Sequence, residues 1–255
     1  MNFLGANVFF WKTKHNIVHH TYTNIPGADE DIEAGIFLYL NPSQKHHWVH
    51  RFQHIYFLFV YALLYLYWVF YADYKKYFSE KVALTPIANF NKREKIIFWI
   101  SKVFHLTIFV VLPVFLLGFQ EWLILFLIYA FTTGILLSMV FQLAHIVEET
   151  DFPLPNADNE IEDAWMIHQL NTTANFAMNC KLLSFILGGL NYQIEHHLFP
   201  TISHIHYPQI SKIVQEVCDQ FHVPYYAHST LWLVIRSHYK CLKQLGGGSA
   251  HRLIE

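Results

Sequence analysis

Three long apolar runs organise the chain. Phe52–Tyr71 reads FQHIYFLFVYALLYLYWVFY, Ile96–Leu117 reads IIFWISKVFHLTIFVVLPVFLL, and Glu121–Leu143 reads EWLILFLIYAFTTGILLSMVFQL. Each approaches the roughly 20 residues a helix needs to cross a bilayer core of about 30 Å. Only Gly118, Phe119 and Gln120 separate the second run from the third, so an antiparallel helical hairpin is predicted. The flanks are less regular. Met1–Trp11 is short and apolar and reads as the tail of an earlier helix. Glu148–Asp163 is acidic and contains Pro153 and Pro155, which predicts a surface loop. Glu162–Asn175 opens like a helix with acidic residues near its positive end. Lys181–Leu190 is apolar but too short to span. Ile210, Ile213, Val214, Val217 and Phe221 recur at helical spacing and predict a packed surface helix over Pro208–Phe221. The glycine-rich end, 246–255, reads as a tail.

Composition agrees with a membrane protein. Of 255 residues, 54% are hydrophobic and only 14% charged, against about 25% charged in a soluble domain. The length suits one domain. A net charge of −2 gives no case for nucleic-acid binding. Cys180, Cys218 and Cys241 are too few and scattered for a disulfide framework or zinc ribbon, and read as ordinary buried thiols. Met1–Phe10 lacks the basic start of a signal peptide.

The candidate chemistry lies in two histidine clusters flanking this apolar middle. His15-Asn16-Ile17-Val18-His19-His20 is an HxxHH run, and Gln193-Ile194-Glu195-His196-His197 a QxxHH run. On an α-helix His15 and His19 share a face, while His20 is rotated by about 100° from His19. That arrangement serves two adjacent metals better than one. Gln193, His196 and His197 share one side if helical. A nitrogen-rich site suits zinc, iron, copper or nickel. Zinc has no redox chemistry, and no hydrolytic nucleophile is evident, so oxidation of an apolar substrate at non-haem iron is the better fit. His46, His47, His50 and His54 border an aromatic run and read as interfacial. His105, His222, His228, His238 and His251 read as ordinary core or surface residues.

One shared site constrains the topology. Both clusters must then face one side, with an even number of spans between them. The hairpin supplies two, which leaves Phe52–Tyr71 in or dipping into the membrane without crossing. A true third span is the competing reading. Lys12, Lys14, Lys45 and Arg51 precede this run, and Lys75, Lys76, Lys81, Lys92, Arg93 and Lys95 follow it, while the Gly118 turn has no basic residue. Placing all the basic segments in the cytoplasm satisfies the positive-inside tendency. Within the second run, Lys102 is expected to snorkel.

WKTKHNIVHHTYTNIPGADEDIE (11–33) and GGLNYQIEHHLFPTISHIHYP (188–208) resemble the second and third histidine boxes of the membrane fatty-acid desaturases. QLAHIVEETDFP (142–153) and HQLNTTANF (168–176) are similar to the front-end and linoleoyl-CoA-desaturase-like branch. The resemblance covers essentially the whole chain. It implies an all-α integral-membrane fold, in which a transmembrane hairpin carries a cytoplasmic helical cap with a histidine-rich di-iron site. It implies O₂ as co-substrate and two electrons from a separate donor of ferredoxin or cytochrome b5 type. The substrate would be a fatty acyl group on CoA, carrier protein or lipid.

Carried over by position, His15, His19 and His20 are second-box ligands, His196 and His197 third-box ligands, and His145 the additional histidine after the last membrane helix. Gln193 either binds iron through its amide oxygen or orients a ligand or water. Asp29, Asp31, Glu148 and Glu195 are candidate acceptors for ligand imidazoles, Glu148 foremost because it follows His145 by three residues. His168 and Asn175 match the family in structural roles. The implied organisation is a second-box segment (1–51), an interfacial or re-entrant helix (52–71), a two-span hairpin (96–143), a third-box region (144–245) and the tail. The family's first box, an HxxxH motif, is expected before residue 1, which makes an inactive truncated desaturase one alternative reading of these 255 residues. A related di-iron hydroxylase is another.

Overall fold

The computed structural model describes residues 1–158 and 160–248. They are mostly helical. The described strands are two-residue pairs: β1 (Lys81–Val82) antiparallel to β2 (Thr85–Pro86), and β3 (Asn175–Phe176) parallel to β4 (Ala227–His228). The chain divides into two compact units, Met1–Val18 with Leu58–Ser138, and His19–Phe57 with Met139 onward.

In the first unit, α1 (Val8–Lys12) begins afresh. The Asn7 side chain accepts the Phe10 amide at 3.0 Å, an N-cap that satisfies an otherwise orphaned donor. Met1–Trp11 is thus not one continuous helix: Asn2–Leu4 is a separate 3-10 turn ended by Gly5 at φ 92°. The HxxHH run follows on the π-helical segment Thr13–His19, which leads into α2 (His20–Tyr22). Its turns close to the fifth residue, so the α-helical face drawn from the spacing does not apply.

The run Phe52–Tyr71 is bent. Helices α3 (Trp48–Ala62) and α4 (Leu64–Ser79) meet at 55°, and only as a pair do they pass for one span. The hairpin appears as expected, with α5 (Lys92–Leu117) and α6 (Phe119–His145) each long and apolar enough to cross a membrane. Asn91 caps α5 through the Arg93 and Glu94 amides, and Gly118 at φ 89° makes the turn. Only 17% of each span's most apolar window is buried within the protein, which leaves the rest to face lipid.

Ala130, Gly134 and Ser138 stand four residues apart on α6, a small-residue stripe of the kind that lets membrane helices approach closely. Ala130 packs with Tyr65 and Val69. A Cβ on Gly134 would run into the Ala62 and Tyr61 carbonyls, and Ser138 Oγ lies 3.4 Å from the Tyr61 carbonyl. Lys102 does not snorkel. It is buried, and its Nζ donates to Asp73 Oδ2 at 2.8 Å, the Gly5 carbonyl at 2.6 Å and the Val69 carbonyl at 2.9 Å. Three acceptors use all three ammonium protons. Asp73 is completed by the Asn7 amide and the Trp68 indole.

Among the described residues, two small cores stand in the second unit. Leu143 and Val147 pack with Ala174, Phe176 and Val234. Leu170 of α7 (Trp165–Asn171) packs with other residues around Ile194 and Leu198. Lys181–Ile186 forms the short helix α8, and the QxxHH run forms α9 (Gln193–Leu198). The predicted amphipathic helix is α10 (Tyr207–Phe221), whose buried stripe is Tyr207, Ser211, Val214 and Cys218. Ile213, Val217 and Phe221 of the expected face are exposed. Helix α11 (Leu231–Gly246) closes the unit, with Gln53 Nε2 donating to the Leu242 carbonyl at 2.8 Å. The 46–54 histidines do more than border an interface: His46 and His50 donate through Nε2 to the Gly246 and Ile36 carbonyls. Of the predicted tail, Gly246 ends α11, and the residues beyond Gly248, like His251, lie outside the described residues.

Gly134→Ala is expected to destabilise the first unit by about 1–3 kcal/mol, because a backbone carbonyl cannot move aside as a side chain can. Thermal unfolding in detergent measures it, and an unchanged midpoint would contradict the close approach.

Candidate metal centre

Three imidazoles from three separate segments converge in the second unit. His19 comes from the end of the π-helical turn, His145 from the last residue of α6, and His197 from α9. One nitrogen of each lies within 4.8 Å of the others, a spacing that suits a shared metal ion. The ring centroids are 4.8, 4.9 and 5.0 Å apart, and the planes are steeply inclined to one another. His20 stacks on His197 at 4.3 Å, and His196 meets His20 edge-on at 4.7 Å.

The far side of each ring in the trio is anchored. His19 Nδ1 lies 2.9 Å from Asp29 Oδ2 and 3.5 Å from Asp31 Oδ2. His145 Nδ1 lies 3.1 Å from the Thr172 carbonyl. His197 Nδ1 lies 2.8 Å from Gln169 Oε1. An imidazole that donates from Nδ1 presents an unprotonated Nε2. His197 Nε2 is buried without a hydrogen-bond partner, which suits an atom that ligates a metal.

Electrostatics favour the ligating form. Burial, reinforced by His196, His19 and His145, lowers His20 to about 3. Burial and His19 lower His196 to about 4. Burial, with His20 as the next cause, holds His197 well below its ordinary value. Desolvation penalises the charged ring, and metal ligation needs the neutral one.

The residues match a known family. The fatty acid desaturase family model fits residues 1–229. The chain belongs to the fatty acid desaturase family. It is 37% identical to the sn-1 linoleoyl-lipid 6-desaturase of Synechocystis sp., over 97% of this chain and 70% of that protein. It is 36% identical to the enzyme of the same name from Arthrospira platensis, over 99% of this chain and 68% of that one. An acyl-lipid (8-3)-desaturase of Physcomitrium patens is 34% identical over 96% of this chain and 52% of its own length. No solved structure matches. The chain is thus an oxidoreductase of fatty acyl desaturation with a histidine-rich metal site, and its spans fit an integral membrane protein.

The other expected site residues of this desaturase fall as follows. His15 lies on the π-helical turn of the first unit, buried and stacked on Trp11 at 4.6 Å. Gln193 is buried at the start of α9. Asp29 and Asp31 meet a histidine, but the other two carboxylates are engaged elsewhere. Glu148 faces Lys240 and Gln244 of α11. Glu195 accepts from Asn175 Nδ2 at 2.8 Å and Tyr225 OH at 2.9 Å, while Asn175 Oδ1 accepts the Ile194 amide at 2.9 Å. Glu195 and Asn175 therefore clamp α9 rather than an imidazole. His168 is buried on α7.

Four polar residues had no role in the sequence reading. Gln169 and the Thr172 carbonyl orient histidines. Asn24 donates to the His145 carbonyl at 2.9 Å and the Asp151 carbonyl at 3.1 Å, tying the segment after the HxxHH run to the end of α6. Thr23 donates toward the His19 carbonyl and Gln169. All four residues belong to the TYTN (21–24) and HQLNTTANF (168–176) stretches that carry the family resemblance.

Asp29→Asn is expected to weaken metal retention by roughly 10–100-fold, while Glu148→Gln leaves it unchanged; metal content after dialysis against a chelator separates the two. Acid should weaken the metal-free protein. An unfolded chain protonates these rings near 6.5, while folded His20 and His196 resist to about 3 and 4, so protons favour unfolding. Stability is complete above pH 6.5 and drains as pH falls toward 3. A thermal midpoint flat across that window would contradict the buried neutral cluster.

Proposed function

We propose that the imidazoles hold two iron ions, and that O₂ and two electrons from a separate donor protein are used to remove two hydrogens from a fatty acyl chain. The observation that carries this reading is the His19–His145–His197 trio, with every Nδ1 anchored and one nitrogen of each ring converging. An all-nitrogen set in a redox family favours iron over zinc, which has no redox chemistry. The irons supply O₂ activation: two acyl hydrogens, two electrons and two protons convert O₂ to two waters.

His20 and His196 serve the second ion, joined on the strength of the box motif by His15. Gln193 adds an amide donor at the start of α9. The protein's own part is to keep the rings neutral, fix their tautomers and exclude water. Apolar side chains set which C–H pair is presented, so positioning rather than acid–base chemistry selects the bond. The names of the relatives favour an acyl group carried on a lipid.

For the topology, His19 and His20 are separated in the chain from His196 and His197 by α3–α4, α5 and α6. A common side requires an even number of crossings, so the bent α3–α4 pair enters the membrane and returns. Basic residues on both flanks of that pair favour the cytoplasmic side for the cluster.

The full-length protein is expected to contain about two irons per chain, and His145→Ala to lose unsaturated product. Zinc without iron in active protein overturns the reading. Cysteines introduced at Glu80 and Asn89 should label from the cytoplasmic side; labelling from the opposite side would make α3–α4 a true span.

A further inference from the structure

Asp29, the Thr172 carbonyl and Gln169 face the three Nδ1 atoms, and they are not equivalent. A carboxylate and a carbonyl can only accept. A side-chain amide can present either its oxygen or its NH₂, and the two have nearly the same shape. Gln169, Thr23 and His197 are all fully buried, so bulk solvent does not compete for these hydrogen bonds.

The neighbouring bonds set the two arrangements against each other. Thr23 Oγ1 lies 2.7 Å from the His19 carbonyl, 2.9 Å from Gln169 Oε1 and 3.3 Å from His197 Nδ1. A hydroxyl has one proton. With Oε1 inward, His197 donates from Nδ1, and the Thr23 proton is contested by two oxygens. With the NH₂ inward, the amide donates to both Thr23 Oγ1 and His197 Nδ1, and Thr23 keeps its bond to His19. That second arrangement moves the His197 proton to Nε2, where it blocks a metal. Each orientation leaves one outer amide atom without a partner; with Oε1 inward it is Nε2.

We propose that Gln169 is a positioning residue that sets the tautomer of His197 and couples the orientation of its own amide to metal occupancy. This rests on the metal-centre reading above. A cation at His197 Nε2 selects the Oε1-inward state. Its loss releases the amide to turn, which protonates Nε2 and slows rebinding.

Replacement by glutamate removes the choice, since both inward atoms are then acceptors, and reproduces the carboxylate–imidazole pair of Asp29 and His19. Replacement by leucine removes the acceptor. Full-length protein loaded with ⁵⁷Fe would be followed by iron release to a chelator and by Mössbauer spectroscopy. Gln169→Leu is expected to release one of the two irons roughly 10–100-fold faster and to alter the quadrupole splitting of that site alone. Gln169→Glu is expected to hold both irons at least as long as the parent. If the leucine protein does not fold, the glutamate protein still decides, because a packing role for the amide predicts that a buried carboxylate loses iron. Iron release faster from Gln169→Glu than from the parent, or unchanged in Gln169→Leu, overturns the proposal alone. A parent protein without bound metal overturns the metal-centre reading, and the proposal with it.

Discussion

An imidazole can offer a lone pair to a metal only if its other nitrogen has somewhere to place a proton. Inside a protein that place must be built, because water is absent and a second proton is expelled by burial. Much of the second unit answers this demand. The loop after the HxxHH run folds back so that Asp29 reaches His19. The end of α7 turns so that the Thr172 carbonyl reaches His145 and Gln169 reaches His197. The acceptors are in turn held: Asp29 accepts the Asn24 and Asp31 amides, and Asn24 reaches to the end of α6. Removing one acceptor therefore disturbs a fold, as well as a bond.

The same logic governs α9. A six-residue helix has little stability of its own, yet it must hold two adjacent histidines at fixed angles. The Glu195–Asn175–Tyr225 clamp and the packing of Ile194 and Leu198 supply what helix propensity cannot. Burial raises the Glu195 carboxyl above its usual range, and the hydrogen bonds from Asn175 and Tyr225 oppose that rise. The residue that precedes the two box histidines thus serves the scaffold.

The hairpin, the extent of α10 and the clustering of the histidine runs were legible because hydropathy and residue type report directly on helix formation and candidate chemistry, although the buried face of α10 was not. What stayed hidden depends on partners distant in sequence. The bend at Leu63 has no Pro or Gly to announce it. It is seen only where α6 brings Gly134 and Ser138 against the Tyr61 and Ala62 carbonyls. Sequence spacing favoured Glu148 as the partner of an imidazole, since it follows His145 closely. The chain leaves helix at Ile146, however, and Glu148 turns to Lys240 instead. Gln169 carries no charge, and the HQLNTTANF stretch does not say what its amide touches, so only the fold reveals its role. The π-helical turn at Thr13–His19 is invisible to any count based on α-helical spacing.

The buried Lys102–Asp73 pair bears on how the chain enters the membrane. An unpaired lysine near the centre of a span costs about 2.5–3.5 kcal/mol on insertion scales. Asp73 precedes Lys102 by 29 residues, and the Gly5 and Val69 carbonyls that complete the ammonium also precede it. Every acceptor for that charge has thus left the ribosome before the lysine does. Synthesis from the N-terminus delivers the receptor first and the charge second, so α5 can enter the bilayer with its neutralising partners already made.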